Sequence, residues 1–229
     1  MQGRINQLTC ILTLLVVVAA PSALAAKGGN GGGKPGGGGG DDPLAAIDIV
    51  YSKPGSSGWD LWVAASDGSR ESLLLAGVGD GQMTPAWSPD GTRIVFNGTV
   101  NGEGLYLVDA NGANLTKVHA GSARSPDWSP DGPTIAFHAW DATEDQSDRK
   151  GVWLLAPDGS GLTQVADQAG RWEMYPKWSP DGTQLAFTVD DFSGGGWGVA
   201  VYTLAEGTED SITDVVGSPI RDHVLEYTV

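Results

Sequence analysis

Two groups of acidic side chains have the oxygen donors that could hold a hard cation such as calcium: Asp141, Glu144, Asp145 and Asp148, and the adjacent pair Asp190 and Asp191. Neither shows the Asp-x-Asp-x-Asp-Gly spacing with a distant glutamate that a calcium loop requires, so both read as solvated acidic loops. No metal or other cofactor is expected, and calcium is the one ion to test. The three histidines, His119, His138 and His223, stand far apart and lack the paired spacing of a zinc site. Each reads as an ordinary strand or loop residue. A serine hydrolase of the α/β type needs Gly-x-Ser-x-Gly, which is absent. Gly28 to Lys34 has the Gly-x4-Gly-Lys spacing of a phosphate-binding loop, but Pro35 replaces the hydroxyl residue and no strand–helix context surrounds it. No catalytic residue is therefore assigned. Carboxylate chemistry across a cleft, as in a polysaccharide lyase or glycan hydrolase, stays open as the alternative.

Recognition is the better use of the remaining side chains. Trp59, Met83, Arg124, Trp140, Arg171, Trp172, Met174, Tyr175 and Trp197 belong to types enriched at the centres of interfaces. Trp140, Trp172, Arg171, Met174, Tyr175 and Arg124 are the candidate binding residues, with Trp140 and Trp172 foremost because neither belongs to a repeated motif. The elements that position them come from an internal repeat. Trp87-Ser88-Pro89-Asp90-Gly91 recurs as Trp128-Ser129-Pro130-Asp131-Gly132, 41 residues on, and as Trp178-Ser179-Pro180-Asp181-Gly182, a further 50 on. A proline stands two residues before each tryptophan: Pro85, Pro126 and Pro176. Each copy is followed by a β-branched or aromatic run (Ile94-Val95-Phe96, Ile135-Ala136-Phe137, Leu185-Ala186-Phe187), then a variable loop and a second apolar run. Asn111-Gly112 and Asp158-Gly159 mark further turns, followed by Leu115-Thr116 and Leu162-Thr163.

The motif has a structural explanation. Proline presets φ at the second position of a turn, aspartate bonds to neighbouring backbone, and glycine accepts the positive φ that leads into the next strand. The tryptophan suits a place between adjacent sheets, where it buries a large area. Four strands in ~40 to 45 residues, without helical periodicity, is the blade of a propeller. The predicted class is all-β: a β-propeller of four-stranded blades, about four in number, over residues 47–229. The units fall at 47–80, 81–121, 122–170 and 171–216. The first unit lacks one strand, and the tail 217–229, beginning near Ser218-Pro219, is expected to supply it and so close the ring.

The pattern Pro-x-Trp-Ser-Pro-Asp-Gly, Ile-Ala-Phe, Asp-Gly, Leu-Thr resembles the WD40-like propeller repeats of the TolB-like family, clearly over Pro85 to Tyr202 and weakly on either side. The resemblance implies a propeller outside the cytoplasm that binds or scaffolds proteins and carries no catalytic residues. The resemblance implies six blades, with an additional α/β domain ahead of them in TolB itself; this chain has four units behind a glycine-rich segment. It is therefore similar to the family without being TolB proper, and a ring left incomplete would self-associate. A protein or peptide ligand at one face is the expected partner, with a small glycan-binding propeller as the alternative.

The N-terminus fits that location. Arg4, an apolar run from Cys10 to Ala20 and the small residues Ala23-Leu24-Ala25 read as a signal peptide over residues 1–26. The run is about half the ~20 residues that span a bilayer, so no membrane insertion is expected. Residues 27–46, mostly glycine as far as Pro43, read as a flexible linker. With the leader goes Cys10, the one cysteine, so no disulfide is expected. Twelve basic residues then face 28 acidic ones, a formal charge of −16, which excludes nucleic acid and anionic membrane surfaces as natural partners. The location expected is periplasmic or secreted. Asn97-Gly98-Thr99 and Asn114-Leu115-Thr116 have the form of a glycosylation site.

Overall fold

The computed structural model describes Val18–Ala19 and residues 49–139, 151–168, 171–191, 196–205 and 208–212. Among these residues every regular element is a strand, and the strands form four antiparallel four-stranded sheets. The first contains β1 (Val18–Ala19), β2 (Ile49–Pro54), β3 (Trp59–Ala64) and β4 (Ser72–Gly79). In the second are β5 (Ala86–Trp87), β6 (Arg93–Gly98), β7 (Gly104–Asp109) and β8 (Thr116–Ala120). The third holds β9 (Ala123–Trp128), β10 (Ile135–Ala139), β11 (Gly151–Leu155) and β12 (Thr163–Ala166). The fourth holds β13 (Arg171–Trp178), β14 (Gln184–Asp191), β15 (Gly196–Thr203) and β16 (Thr208–Ile212). Each sheet is a meander in chain order, and the extensive contacts between sheets join only consecutive ones. This is the all-β, blade-by-blade architecture that the repeat implies.

One place in the first sheet is filled differently. The edge of β2 pairs with Val18–Ala19, Val18 against Val50 and Ala19 against Ile49. These two residues belong to the stretch read as the leader. A bare strand edge offers N–H and C=O groups to whatever extended segment can reach it, and two residues are enough to form a short ladder. The tail 217–229, expected at that edge, lies outside the described residues, as do Trp140 and the cluster Asp141, Glu144, Asp145 and Asp148.

Strand alternation divides the core into junctions between sheets. Tyr51 is paired with Trp62, Phe96 with Tyr106, Phe137 with Trp153 and Phe187 with Ala200, so these positions share the leading face of their blades. Val50 with Val63, Val95 with Leu107 and Ala136 with Leu154 occupy the opposite, trailing face. The trailing residues Val50, Leu61 and Val63 pack against Ile94, Phe96, Tyr106 and Val108 of the next blade, and the same scheme recurs at the two later junctions. The aromatic runs are therefore core.

The repeated motif forms the turn that enters each second strand. Gly91, Gly132 and Gly182 take φ of 69°, 86° and 69°, a left-handed conformation that favours glycine. Asp90 Oδ1 accepts from Ser88 Oγ at 2.6 Å and from Thr92 N and Oγ1 at 3.0 and 2.8 Å; Asp181 repeats this with Ser179 and Thr183. Pro133 stands where the threonine stands in the other two copies and has no N–H to give. Trp87, Trp128 and Trp178 are all buried, and Trp128 Nε1 donates to Ala86 O of the preceding blade at 3.3 Å.

Candidate functional site

A bulge in the innermost strand of a blade is what prepares a site at its edge. In β9 and again in β13 the pairing with the next strand shifts, and the residue before the repeated proline takes a left-handed backbone: Ser125 at φ 49° and Tyr175 at φ 56°. A side chain with a Cβ occupies that region at a cost of about 1–2 kcal/mol, so the surroundings must hold it there. They do so by hydrogen bonds between blades. Ser125 N–H donates to Thr84 Oγ1 at 2.9 Å, and Thr84 Oγ1 in turn donates to Asn97 Oδ1 at 2.8 Å. Tyr175 N–H donates to His138 Nδ1 at 3.3 Å.

The consequence at the fourth blade is an exposed aromatic on a fixed stem. Tyr175 is 48 % exposed, whereas His138, whose ring meets the tyrosine ring edge-on at a centroid distance of 5.3 Å, is 3 % exposed. Burial, reinforced by the Arg124 guanidinium nearby, lowers the His138 pKa to about 3, so the imidazole is neutral at physiological pH and Nδ1 can accept. Arg124 is the cross-strand partner of His138, and its guanidinium reaches Glu103 of the second blade at 3.6 Å. Glu103, Arg124, His138 and Tyr175 thus form a row across three blades. Beside it an open cleft of about 230 Å³, solvent included, is bounded by Asp80, Met83, Asn97, Thr99, Glu103 and Arg124. Segments of the first three blades meet here.

The other candidates divide. Arg171 and Trp172 are half-buried at the start of β13. Arg171 Nε lies 2.7 Å from Glu173 Oε1, which also accepts from Gln168 N–H at 3.0 Å, and Glu173 is buried. Met174 is only 5 % exposed, because the bulge turns it inward before Tyr175 turns outward; its thioether belongs to the interior, not to a contact surface. Met83 is likewise core. The side chain of Trp197 and the whole of Trp140 lie outside the described residues. Asn97 is buried with its carbonyl committed to Thr84, which removes it as a glycosylation site, while Asn114 is exposed.

Sequence reasoning passed over His138, Glu103 and Glu173. A signal for the first was present: His138 follows Phe137 as Asn97 follows Phe96 and Thr188 follows Phe187, one polar residue per blade at the same place. Glu103 and Glu173 carried no such mark. Among the described residues no three histidine, cysteine, aspartate or glutamate side chains converge as a metal-binding group. No helix among them is long and apolar enough to cross a membrane.

Comparison with known proteins follows the same line as the geometry. The family model of the TolB beta propeller domain matches residues 47–218. A putative TolB from Agrobacterium tumefaciens is 20% identical, with a TM-score of 0.60 over 73% of this chain and 61% of that one. TolB from Acinetobacter baumannii is 18% identical, with a TM-score of 0.58 over 74% of this chain and 41% of that one. An oligogalacturonate lyase from Vibrio parahaemolyticus is 16% identical, with a TM-score of 0.52 over 71% and 49%. The chain thus spans less than two thirds of the length of each. At such identities the likeness is one of fold alone, and the fold is shared by TolB proteins and by an enzyme. No curated protein matches the chain by sequence.

Proposed function

Since the chain belongs to the TolB β-propeller family, we propose that it is an exported, non-enzymatic binding propeller that takes a protein or peptide segment on the face bearing Tyr175, Arg124 and Glu103. The observation that carries this reading is Tyr175: a large side chain, half exposed, held in a left-handed backbone by a buried histidine of the neighbouring blade. Strain of this kind persists where the surroundings enforce it, and it gathers at sites that contact ligands. A tyrosine on a rigid stem supplies contact area at little entropic cost, and the flanking Arg124–Glu103 pair offers both charge signs to polar groups of a partner.

The cleft favours a macromolecular surface over a small substrate. At about 230 Å³ with solvent included, it is smaller than the ~300–1,000 Å³ of sites that enclose a small molecule. The leader-like N-terminus supports a location outside the cytoplasm, and the formal charge of −15 suits a soluble, non-nucleic-acid partner.

Photocrosslinking tests the reading. A photoreactive amino acid at position 175 of the exported protein should capture a partner that the same group at Leu162, exposed in the turn between β11 and β12 at the other end of the third sheet from His138, does not. Tyr175→Ala and Arg124→Ala should each weaken capture in a pull-down. Capture that is equal from both positions, or binding on a glycan array that depends on Tyr175, would displace this reading in favour of no site or of a sugar site.

A further inference from the structure

The cleft beside the row of Glu103, Arg124, His138 and Tyr175 contains a polar group that the fold itself uses only in part. Asn97, in β6, is 8 % exposed and lines the cleft. Its Oδ1 accepts from Thr84 N–H and from Thr84 Oγ1, each at 2.8 Å. A backbone N–H can only donate, so the atom that faces it is the carbonyl oxygen, and the orientation of the amide is fixed. The NH2 branch is turned away from Thr84 and makes no hydrogen bond among the described residues. A buried donor left unmet is costly, and such a group calls for a reason.

The rim supplies the complementary half. Asp80, on the segment between β4 and β5, is exposed and makes no ion pair or hydrogen bond among the described residues. Glu103 and Arg124, both partly exposed, set their charges against each other at 3.6 Å. The cleft therefore offers an unmet donor inside and an unmet acceptor at its mouth. A ligand carboxylate would satisfy Asn97 but stand beside Asp80 and Glu103. An ammonium or guanidinium would satisfy Asp80 but turn donors toward the donors of Asn97. A neutral carboxamide gives its C=O to Asn97 and its NH2 to Asp80. Depth then selects the source of that carboxamide. A main chain could reach the buried Asn97 only by burying its flanking residues as well, whereas a side chain enters alone, and about 230 Å³ with solvent included has room for one.

We propose that the cleft receives the side-chain carboxamide of a glutamine or asparagine on the protein segment bound at this face, and that Asn97 is the residue that selects it. This deepens the reading of the Tyr175 face and rests on it: Tyr175 supplies contact area, and Asn97 supplies the discrimination. A site built to hydrogen-bond one polar group rejects analogues that leave its buried partner unpaired.

Titration of the purified chain with N-acetylglutamine methylamide, followed by amide NMR, tests the assignment. The side-chain NH2 signals of Asn97, identified by their loss in Asn97→Asp, should shift saturably. The corresponding glutamate, lysine and alanine compounds, the last carrying main-chain amides alone, should bind at least about tenfold more weakly. Asn97→Asp keeps the acceptor for Thr84 but loses the donor, and should weaken the glutamine compound by about tenfold or more. If that variant does not fold, Gly81→Leu serves instead: Gly81 lines the cleft, an added Cβ there meets nothing within 4 Å, and the larger side chain should obstruct the probe. No saturable shift up to the solubility limit, equal binding of the alanine compound, preference for a charged one or for maltose, or binding that survives the substitution overturns the proposal. The two readings fail separately. Loss of probe binding leaves the crosslink at position 175 standing, whereas loss of that crosslink with the probe still bound removes the protein partner and keeps the cleft's selectivity.

Discussion

The His138 imidazole is buried beside a guanidinium and aimed at the amide of Tyr175, so its protonation would strike at the bond that holds the strained residue. Its folded-state pKa, about 3, lies below the ordinary 6.5. Between those values the unfolded chain binds a proton that the folded chain refuses. Stability contributed by this group is therefore complete above pH 6.5 and falls as the pH drops toward 3, by up to about 1.4 kcal/mol per unit. The motif carboxylates act lower. Burial works against ionisation of Asp90, but hydrogen bonds from Ser88 and Thr92 outweigh it; Asp181 is lowered chiefly by Ser179. Their contribution is lost only below the ordinary carboxylate range. His138→Asn, which installs the residue found at the same place in the second blade, should flatten the decline in urea midpoint between pH 7 and pH 5; an undiminished slope would refute the assignment. At Tyr175, glycine and alanine both remove the anchor. Tyr175→Gly also relieves the left-handed backbone, so it should be more stable than Tyr175→Ala by about 1 kcal/mol in denaturant titrations, with partner binding lost in both.

At the level of the element, the blades are locked by backbone groups as well as by side chains. Asp127 in β9 accepts from Trp178 N–H at 2.9 Å and pairs with Lys177 Nζ at 2.9 Å, both from β13 of the next blade. Removing the carboxylate leaves a buried donor unsatisfied, which costs about 1–3 kcal/mol. Asp127→Ala should lose that much in equilibrium unfolding, and Asp127→Asn, which keeps an acceptor, less. The turn between β11 and β12 offers a matched pair of tests. Gly159 and Gly161 both have positive φ, 84° and 68°, but a Cβ at Gly159 would lie 2.7 Å from Val118 O of the preceding blade, while one at Gly161 meets nothing within 4 Å. Gly161→Ala should cost only the backbone strain, about 1–2 kcal/mol, and Gly159→Ala clearly more. Equal losses would show that the turn does not nest against its neighbour.

At the scale of the whole molecule, stability is a sum over blades and the junctions between neighbours. The second and third blades each pack on both sides; the first and fourth each have one sealed junction among the described residues. Hydrogen–deuterium exchange should therefore be slowest in β7 and β10 and fastest in β16 at the outer edge of the fourth blade. Uniform exchange across all four blades would mean that the chain opens as one unit.

The sequence by itself determined the blade. A five-residue identity repeated three times, with proline before and β-branched or aromatic runs after it, encodes turn geometry, strand period and inter-sheet tryptophan locally, so each unit could be read from its own residues. Where the blades put their side chains was decided only in three dimensions. Met174 and Tyr175 are neighbours of similar promise in the chain, yet a bulge set by pairing with β14 buries one and exposes the other. His138 matters because a strand of the following blade approaches it, 37 positions away. Glu103 and Arg124 meet through the packing of two blades. Local composition records turns and strands because their forces act between near neighbours in the chain; burial and partnership across a junction depend on residues far apart, and only the packed structure brings these together.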